Sequence, residues 1–225
     1  MNSQSWKGIL SCGNYDTDQN ASLDPHYQVQ TQFRFPLRNP FSFLEKIGSG
    51  FIRTSLERSF TRNSSTTTPI DRFWFPQEKF PNWNNVFAKS GFLDYQCSIP
   101  INGTSDCLEE FQSIVCSTPL NMFFVVIKVF GTADSSTILQ FHQEGLSITF
   151  EMLDRPEARA VLDQLDECVI RYGGRVNLVK DARLSPRSLQ MMYPKLDKWV
   201  STKKEFDPKS TFVSDLGKRL GLLGA

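Results

Sequence analysis

The chain has 225 residues, 40% hydrophobic and 22% charged, with 25 Lys and Arg against 24 Asp and Glu for a net charge of +1. These figures exclude a disordered chain and give no sign of the basic surface that general nucleic-acid or anionic-membrane binding requires. Nineteen Phe, each able to bury a large apolar area, supply a sizeable core.

No run reaches the ~18–20 apolar residues of a membrane span. The polar start, Met1-Asn2-Ser3-Gln4-Ser5-Trp6-Lys7, has no apolar segment of the signal-peptide kind. The expected location is therefore the cytoplasm, with peripheral membrane attachment left open. Cys12, Cys97, Cys107, Cys116 and Cys168 form an odd set without a CxxC, so buried free thiols are expected rather than a zinc site or a disulfide framework.

In chain order, residues 1–70 read as an irregular arm. A helix near Phe41 to Phe60 places Leu44, Ile47, Phe51, Ile52 and Leu56 at helical spacing, and the polar run from Thr61 to Pro69 reads as an exposed loop. Residues 71–179 read as the main domain. Leu93, Tyr95, Cys97 and Ile99 alternate with Asp94, Gln96 and Ser98, the pattern of a half-buried strand. Ser105 or Asp106 is placed to cap a helix with Leu108, Phe111, Ile114 and Val115 on its apolar face. Asn121 to Phe130 is a second strand, apolar on nearly both faces and so expected to be central. A long polar connection, Gly131 to Glu144, leads to a third strand in which Leu146, Ile148, Phe150 and Met152 alternate with Ser147, Thr149 and Glu151.

Asp154 is the expected cap of the next helix, with Pro156 in its first turn and Val161, Leu162, Leu165, Cys168, Val169 and Tyr172 on its apolar face. Gly173-Gly174 ends it, and Arg175 to Val179 is a fourth strand. The order strand, helix, strand, strand, helix, strand predicts an α+β, ferredoxin-like split βαβ unit, an antiparallel sheet with both helices on one face. Residues 180–225 read as an amphipathic helical tail set apart from the sheet: a short helix from Ser185-Pro186, another carrying Leu196, Trp199 and Val200, and a last one capped by Ser214.

The candidate chemistry lies on the sheet face away from the helices. Gln96, Ser147, Thr149 and Asn177 share the polar side of their strands, and Lys128 interrupts the apolar run Phe124 to Phe130. An ammonium there either snorkels to a strand end or meets a polar group. Amides, hydroxyls and one cation suit a hydroxyl-rich ligand; a plainly solvated face is the other reading. The aromatic cluster Phe73-Trp74-Phe75-Pro76 is either core or a lid. His26 and His142 have no Glu or Cys at metal-ligand spacing, and no P-loop, GxSxG or HExxH is present.

The segment Gly173-Gly174-Arg175-Val176-Asn177-Leu178-Val179-Lys180-Asp181-Ala182-Arg183 resembles the GGRxYxAKDSR of the decaprenylphosphoryl-ribose 2′-oxidases, FAD enzymes of the vanillyl-alcohol-oxidase superfamily. The resemblance extends through Met192-Tyr193-Pro194, Phe206-Asp207-Pro208 and Phe212-Val213-Ser214-Asp215-Leu216. Upstream, Gly91-Phe92-Leu93-Asp94-Tyr95-Gln96 is similar to the family's GFLQYQ, and Val126 to Gly131 to its VFKLFG.

The resemblance implies the substrate-domain half of an FAD enzyme that oxidises a CH–OH group of a sugar or sugar-like alcohol. It implies an N-terminal FAD-binding domain as partner, in cis or in trans, to which residues 180–225 return. By residue, it implies Lys180 at the flavin–substrate junction as the catalytic group. Lys128, Gln96, Asp94, Trp74, Ser147 and Thr149 fall at substrate-pocket positions and Asn177 beside the flavin. Asp94 stands where the family has glutamine, Ser147 and Thr149 where it has asparagine and cysteine, Trp74 and Asn177 where it has tyrosines. These departures leave the substrate open among a sugar, a sugar lactone and another alcohol. A non-catalytic ferredoxin-like binding module is the alternative outside enzymology.

Overall fold

The structure, a computed structural model, describes residues 10–15, 67–74, 91–118, 120, 122–134 and 136–222. The chain divides into two compact units, Met1–Lys89 and Ser90–Ala225. In the first, a short helix α1, Ile70–Trp74, sets the Phe73 and Trp74 rings edge to face with centroids 5.4 Å apart. The helix expected near Phe41 to Phe60 lies outside the described residues.

The second unit contains β1 (Phe92–Pro100), a 3-10 turn, α2 (Thr104–Cys116), β2 (Met122–Phe130), β3 (Gly145–Leu153), α3 (Pro156–Arg171) and β4 (Arg175–Val176). Three helices follow: α4 (Pro186–Met192), α5 (Leu196–Phe206) and α6 (Asp215–Arg219). The sheet is antiparallel in the order β2-β3-β1-β4, the ferredoxin-like arrangement that the element order predicts.

The alternation in β1 and β3 decides which face is which. Leu93, Tyr95, Cys97 and Ile99 on β1 and Ile148, Phe150 and Met152 on β3 are buried with Phe111 and Val115 of α2 and Val161, Leu162, Leu165 and Val169 of α3. Asp94, Gln96, Ser147, Thr149 and Glu151 occupy the other parity, on the opposite face. The connection between β2 and β3 covers one end of that face: the single O–H of Ser98 is shared between Phe141 O at 2.8 Å and Gln143 Oε1 at 3.0 Å.

Six expectations are corrected. β2 is an edge strand, not a central one, and Val125, Val126, Ile127 and Val129 are exposed. Apolarity on both faces does not report whether both edges are paired, and here residues of both parities are exposed. α2 begins at Thr104 after Gly103, with no side-chain cap from Ser105 or Asp106. α3 is preceded by Arg155, because Asp154 is committed to a bidentate pair with Arg159 at 2.7 Å.

The fourth strand stops at Val176. Asn177 N–H still bonds Gln96 O at 2.8 Å, but Lys180 N–H then closes a turn on Asn177 O. The helical tail is not set apart either: Leu184, Leu189, Met192, Tyr193, Leu196 and Leu220 join the core of the sheet unit. Their apolar area is removed from water only by packing there. Of the thiols, Cys97, Cys107 and Cys168 are buried as expected, while Cys12 and Cys116 are exposed; all five are free.

Candidate functional site

β4 can approach β1 because of two glycines. Gly173 takes a left-handed φ of +67°, which ends α3, and a Cβ on Gly174 would come within 2.5 Å of Ser98 O. The chain therefore leaves the helix and enters the sheet edge at once, and Asn177 lands beside Gln96. Asn177 Nδ2 donates to Gln96 Oε1 at 2.8 Å, and Gln96 Nε2 donates in turn to Ser147 Oγ at 2.9 Å. This row crosses from the residue after β4 over β1 to β3. Thr149, the register partner of Gln96, is buried, and Lys128 on β2 is half-buried opposite Ser147.

The turn after Asn177 sets Lys180 over β1. Val179 N–H donates to Asn177 Oδ1 at 3.1 Å, and Lys180 Nζ lies 2.7 Å from Asp94 Oδ2. The pair is part open, with side-chain exposures of 35% and 27%.

The residues beyond Lys180 fix it from two directions. Asp181 Oδ1 accepts from the N–H groups of Arg183 and Leu184 at 2.9 and 2.7 Å, and its Oδ2 from Arg219 Nη2 at 2.7 Å. Arg183 runs to the helix side of the sheet, where Nη2 pairs with Asp166 Oδ2 at 2.8 Å and donates to Leu162 O. Tyr95 OH donates to Asp166 Oδ1 at 3.0 Å and the guanidinium lies over the Tyr95 ring. Burial pushes the Asp166 carboxyl up to about 6, against the pull of Arg183 and Tyr95, and pushes the Tyr95 phenol up as well.

Seven of the eight residues singled out in the sequence thus share one sheet face or its rim: Asp94, Gln96, Lys128, Ser147, Thr149, Asn177 and Lys180. Trp74 belongs to the first unit, where it is exposed. Glu151, the register partner of Asp94, was not among them. Its signal was the alternation that already placed Ser147 and Thr149. Burial, then the charge of Asp94, pushes its carboxyl up to about 7, while Lys180 lowers it. A cavity of ≈150 Å³ lies elsewhere, among Gln140, Arg175, Tyr193 and Lys195; the crevice between β1 and residues 180–183 holds only ≈10 Å³.

The family model of D-arabinono-1,4-lactone oxidase matches residues 44–220. The chain belongs to this family of FAD-linked oxidases. It is 30% identical over 191 residues to the decaprenylphosphoryl-beta-D-ribose oxidase of Mycolicibacterium smegmatis, a match that covers 83% of this chain and 39% of that protein. It is also 36% identical over 133 residues to a Streptomyces coelicolor protein described as an uncharacterized protein in the mprA 5′ region, covering 59% of this chain and 36% of that one. The chain thus spans about two fifths of the length of these relatives. No helix among the described residues is long and apolar enough to cross a membrane, and no cluster of metal-ligating side chains occurs among them.

The polar set on this face and its rim, two ammoniums, two amides, two hydroxyls and the carboxyls of Asp94 and Glu151, is of the kind that hydrogen-bonds a flavin edge and a hydroxylated substrate. Asn177 is largely committed, since its oxygen holds Val179 N–H and one of its N–H groups holds Gln96. Lys180 stands on the part-open rim, with its Nζ engaged by Asp94.

Proposed function

We propose that the chain is the substrate-domain portion of an FAD-dependent oxidoreductase that oxidises a CH–OH group of a sugar or sugar-like alcohol. The observation that carries this reading is the Lys180–Asp94 ion pair at the end of the Asn177–Gln96–Ser147 row. It sets a cation, with amides and a hydroxyl, on one rigid face. FAD, held mainly by an N-terminal domain in cis or in trans, supplies the two-electron acceptor when bound.

The chain's own residues do the rest. Gln96, Ser147, Thr149 and Lys128 bind and orient substrate hydroxyls. Lys180 is placed to act on the reacting oxygen: it takes the hydroxyl proton as the base, or it offsets the negative charge that grows there while water takes that proton. Asn177 acts by holding the turn that presents Lys180.

A second reading within the same chemistry is an aldonolactone oxidase. The matched family carries that substrate in its name. In addition, Asp94 adds a carboxylate beside Lys180, which lowers the positive charge that Lys128 and Lys180 would offer an anionic phosphate. The test is anaerobic flavin bleaching in the complete reading frame, or in this chain co-expressed with its flavin half. Aldonolactones and sugar alcohols are expected to reduce the flavin, and phosphorylated sugars to do so at least about tenfold less efficiently. Failure of every hydroxylated substrate in the panel, with flavin bound, would leave the binding-module reading.

A further inference from the structure

The ion pair uses one oxygen of Asp94; the other has no donor. Asp94 Oδ1 and Glu151 Oε2 are both buried without a hydrogen-bond partner. They belong to residues that are direct register partners in β1 and β3, on the same face of the sheet. Such partners bring their Cβ atoms to about 4.5–5.5 Å, so the two carboxyl groups are neighbours. Ionised carboxylates only accept hydrogen bonds. If both are charged, the pair carries a like-charge repulsion and two buried oxygens that no donor reaches. One proton removes the repulsion and turns one of the two acceptors into a donor. Lys180, 2.7 Å from Asp94 Oδ2, decides where the charge sits: on Asp94, which leaves the proton to Glu151.

We propose that Asp94 and Glu151 hold one proton between them at neutral pH, carried chiefly by Glu151. Glu151 is thereby a positioning residue that keeps Asp94 aimed at Lys180. The direction of the Glu151 titration agrees: burial and Asp94 push its carboxyl up to about 7, with Lys180 opposing. The charged and titratable groups around it are accounted for by element. β1 gives Asp94, and the turn after β4 gives Lys180. β2 gives the uncharged register partner Phe124 and, four residues along, Lys128 opposite Ser147. Tyr95, Asp166 and Arg183 lie on the helix side of the sheet.

Below the midpoint, Asp94, Glu151 and Lys180 sum to zero charge; above it they carry one negative charge, and a second carboxylate competes for the ammonium. On the oxidoreductase reading, on which only this consequence rests, turnover loses Lys180 on the alkaline side of the same midpoint.

The test uses the whole 225-residue chain without flavin. Glutamate labelled with ¹³C at the side-chain carboxyl is titrated by NMR, and the Lys180 side-chain resonance is followed alongside. One glutamate is expected to titrate near pH 7, with Lys180 showing an inflection at the same pH. In Glu151→Gln both signals should vanish. In Asp94→Asn, which removes the neighbouring charge and supplies an amide donor, the glutamate midpoint should fall by about one unit or more. If Glu151→Gln fails to fold, Glu151→Asp, which removes the same labelled carboxyl, supplies the assignment. The proposal is overturned if every glutamate titrates below about pH 5.5, if the near-neutral titration survives Glu151→Gln, or if Lys180 shows no inflection there. None of these results depends on turnover, so they stand apart from success or failure of the oxidoreductase reading.

Discussion

Lys180 reaches the open face because its neighbours are tied down on other surfaces. Asp181 is held by two backbone N–H groups and by Arg219, Arg183 by Asp166 and Leu162 O. A lysine has four rotatable carbons' worth of freedom to lose, and a fixed backbone on both sides lowers that cost. Lys180→Ala in the flavin-loaded enzyme is expected to lower kcat by about 10²-fold or more, the size associated with losing one positioned electrostatic or proton-transfer group. KM should move much less. An unchanged kcat would remove Lys180 from the chemistry.

At this scale the sequence was readable where parity alone places a side chain: Gln96, Ser147 and Thr149 follow from alternation in β1 and β3. Asp166 was not readable. A lone acid among the apolar positions of α3 looks solvated until Tyr95 and Arg183, 71 and 17 residues away in the chain, are brought to it.

Elements were legible in proportion to how local their causes are. The caps of α4 and α6 are local, and Ser185 and Ser214 make them, each accepting an N–H three residues on. The start of α3 is decided instead by competition for Asp154, which Arg159 wins. The edge position of β2 is a property of the whole sheet. The length of β4 follows from Asn177, whose side chain caps the turn rather than extending the ladder.

The same element-level view gives a stability prediction. Arg183 and Asp166 are buried, with side-chain exposures of 8% and 5%. Arg183→Met leaves the Asp166 carboxylate buried and unpaired, a change expected to cost about 3–5 kcal/mol in chemical denaturation. Adding Asp166→Asn should recover part of the loss, because it removes the stranded charge while keeping an acceptor for Tyr95 OH. A loss below about 1 kcal/mol for Arg183→Met would mean that the ion pair is not what anchors residues 180–184 to α3.

For the whole molecule, the raised Glu151 carboxyl sets the direction in which stability changes with pH. Its ordinary value is 4.5 and its folded value about 7. Between these values the unfolded chain has already released the proton that the folded chain still binds. Stability must therefore fall as pH rises through this window, and the full penalty is present above it. Asp166, raised from 3.8 to about 6, adds a contribution of the same sign at slightly lower pH. Because Glu151 is part open to solvent, screening reduces its share to on the order of 1 kcal/mol, a few degrees in Tm for a unit of this size. The wild-type Tm is thus expected to decline between about pH 5 and pH 8. In Glu151→Gln the decline should be shallower, leaving only the Asp166 part, and the variant should be the more stable protein at pH 8 although it has lost a charged residue. A variant whose Tm follows the wild-type curve across the whole range would show that Glu151 ionises alike in the folded and unfolded chain. The buried oxygens of the Asp94–Glu151 pair would then have to be relieved by movement rather than by a proton.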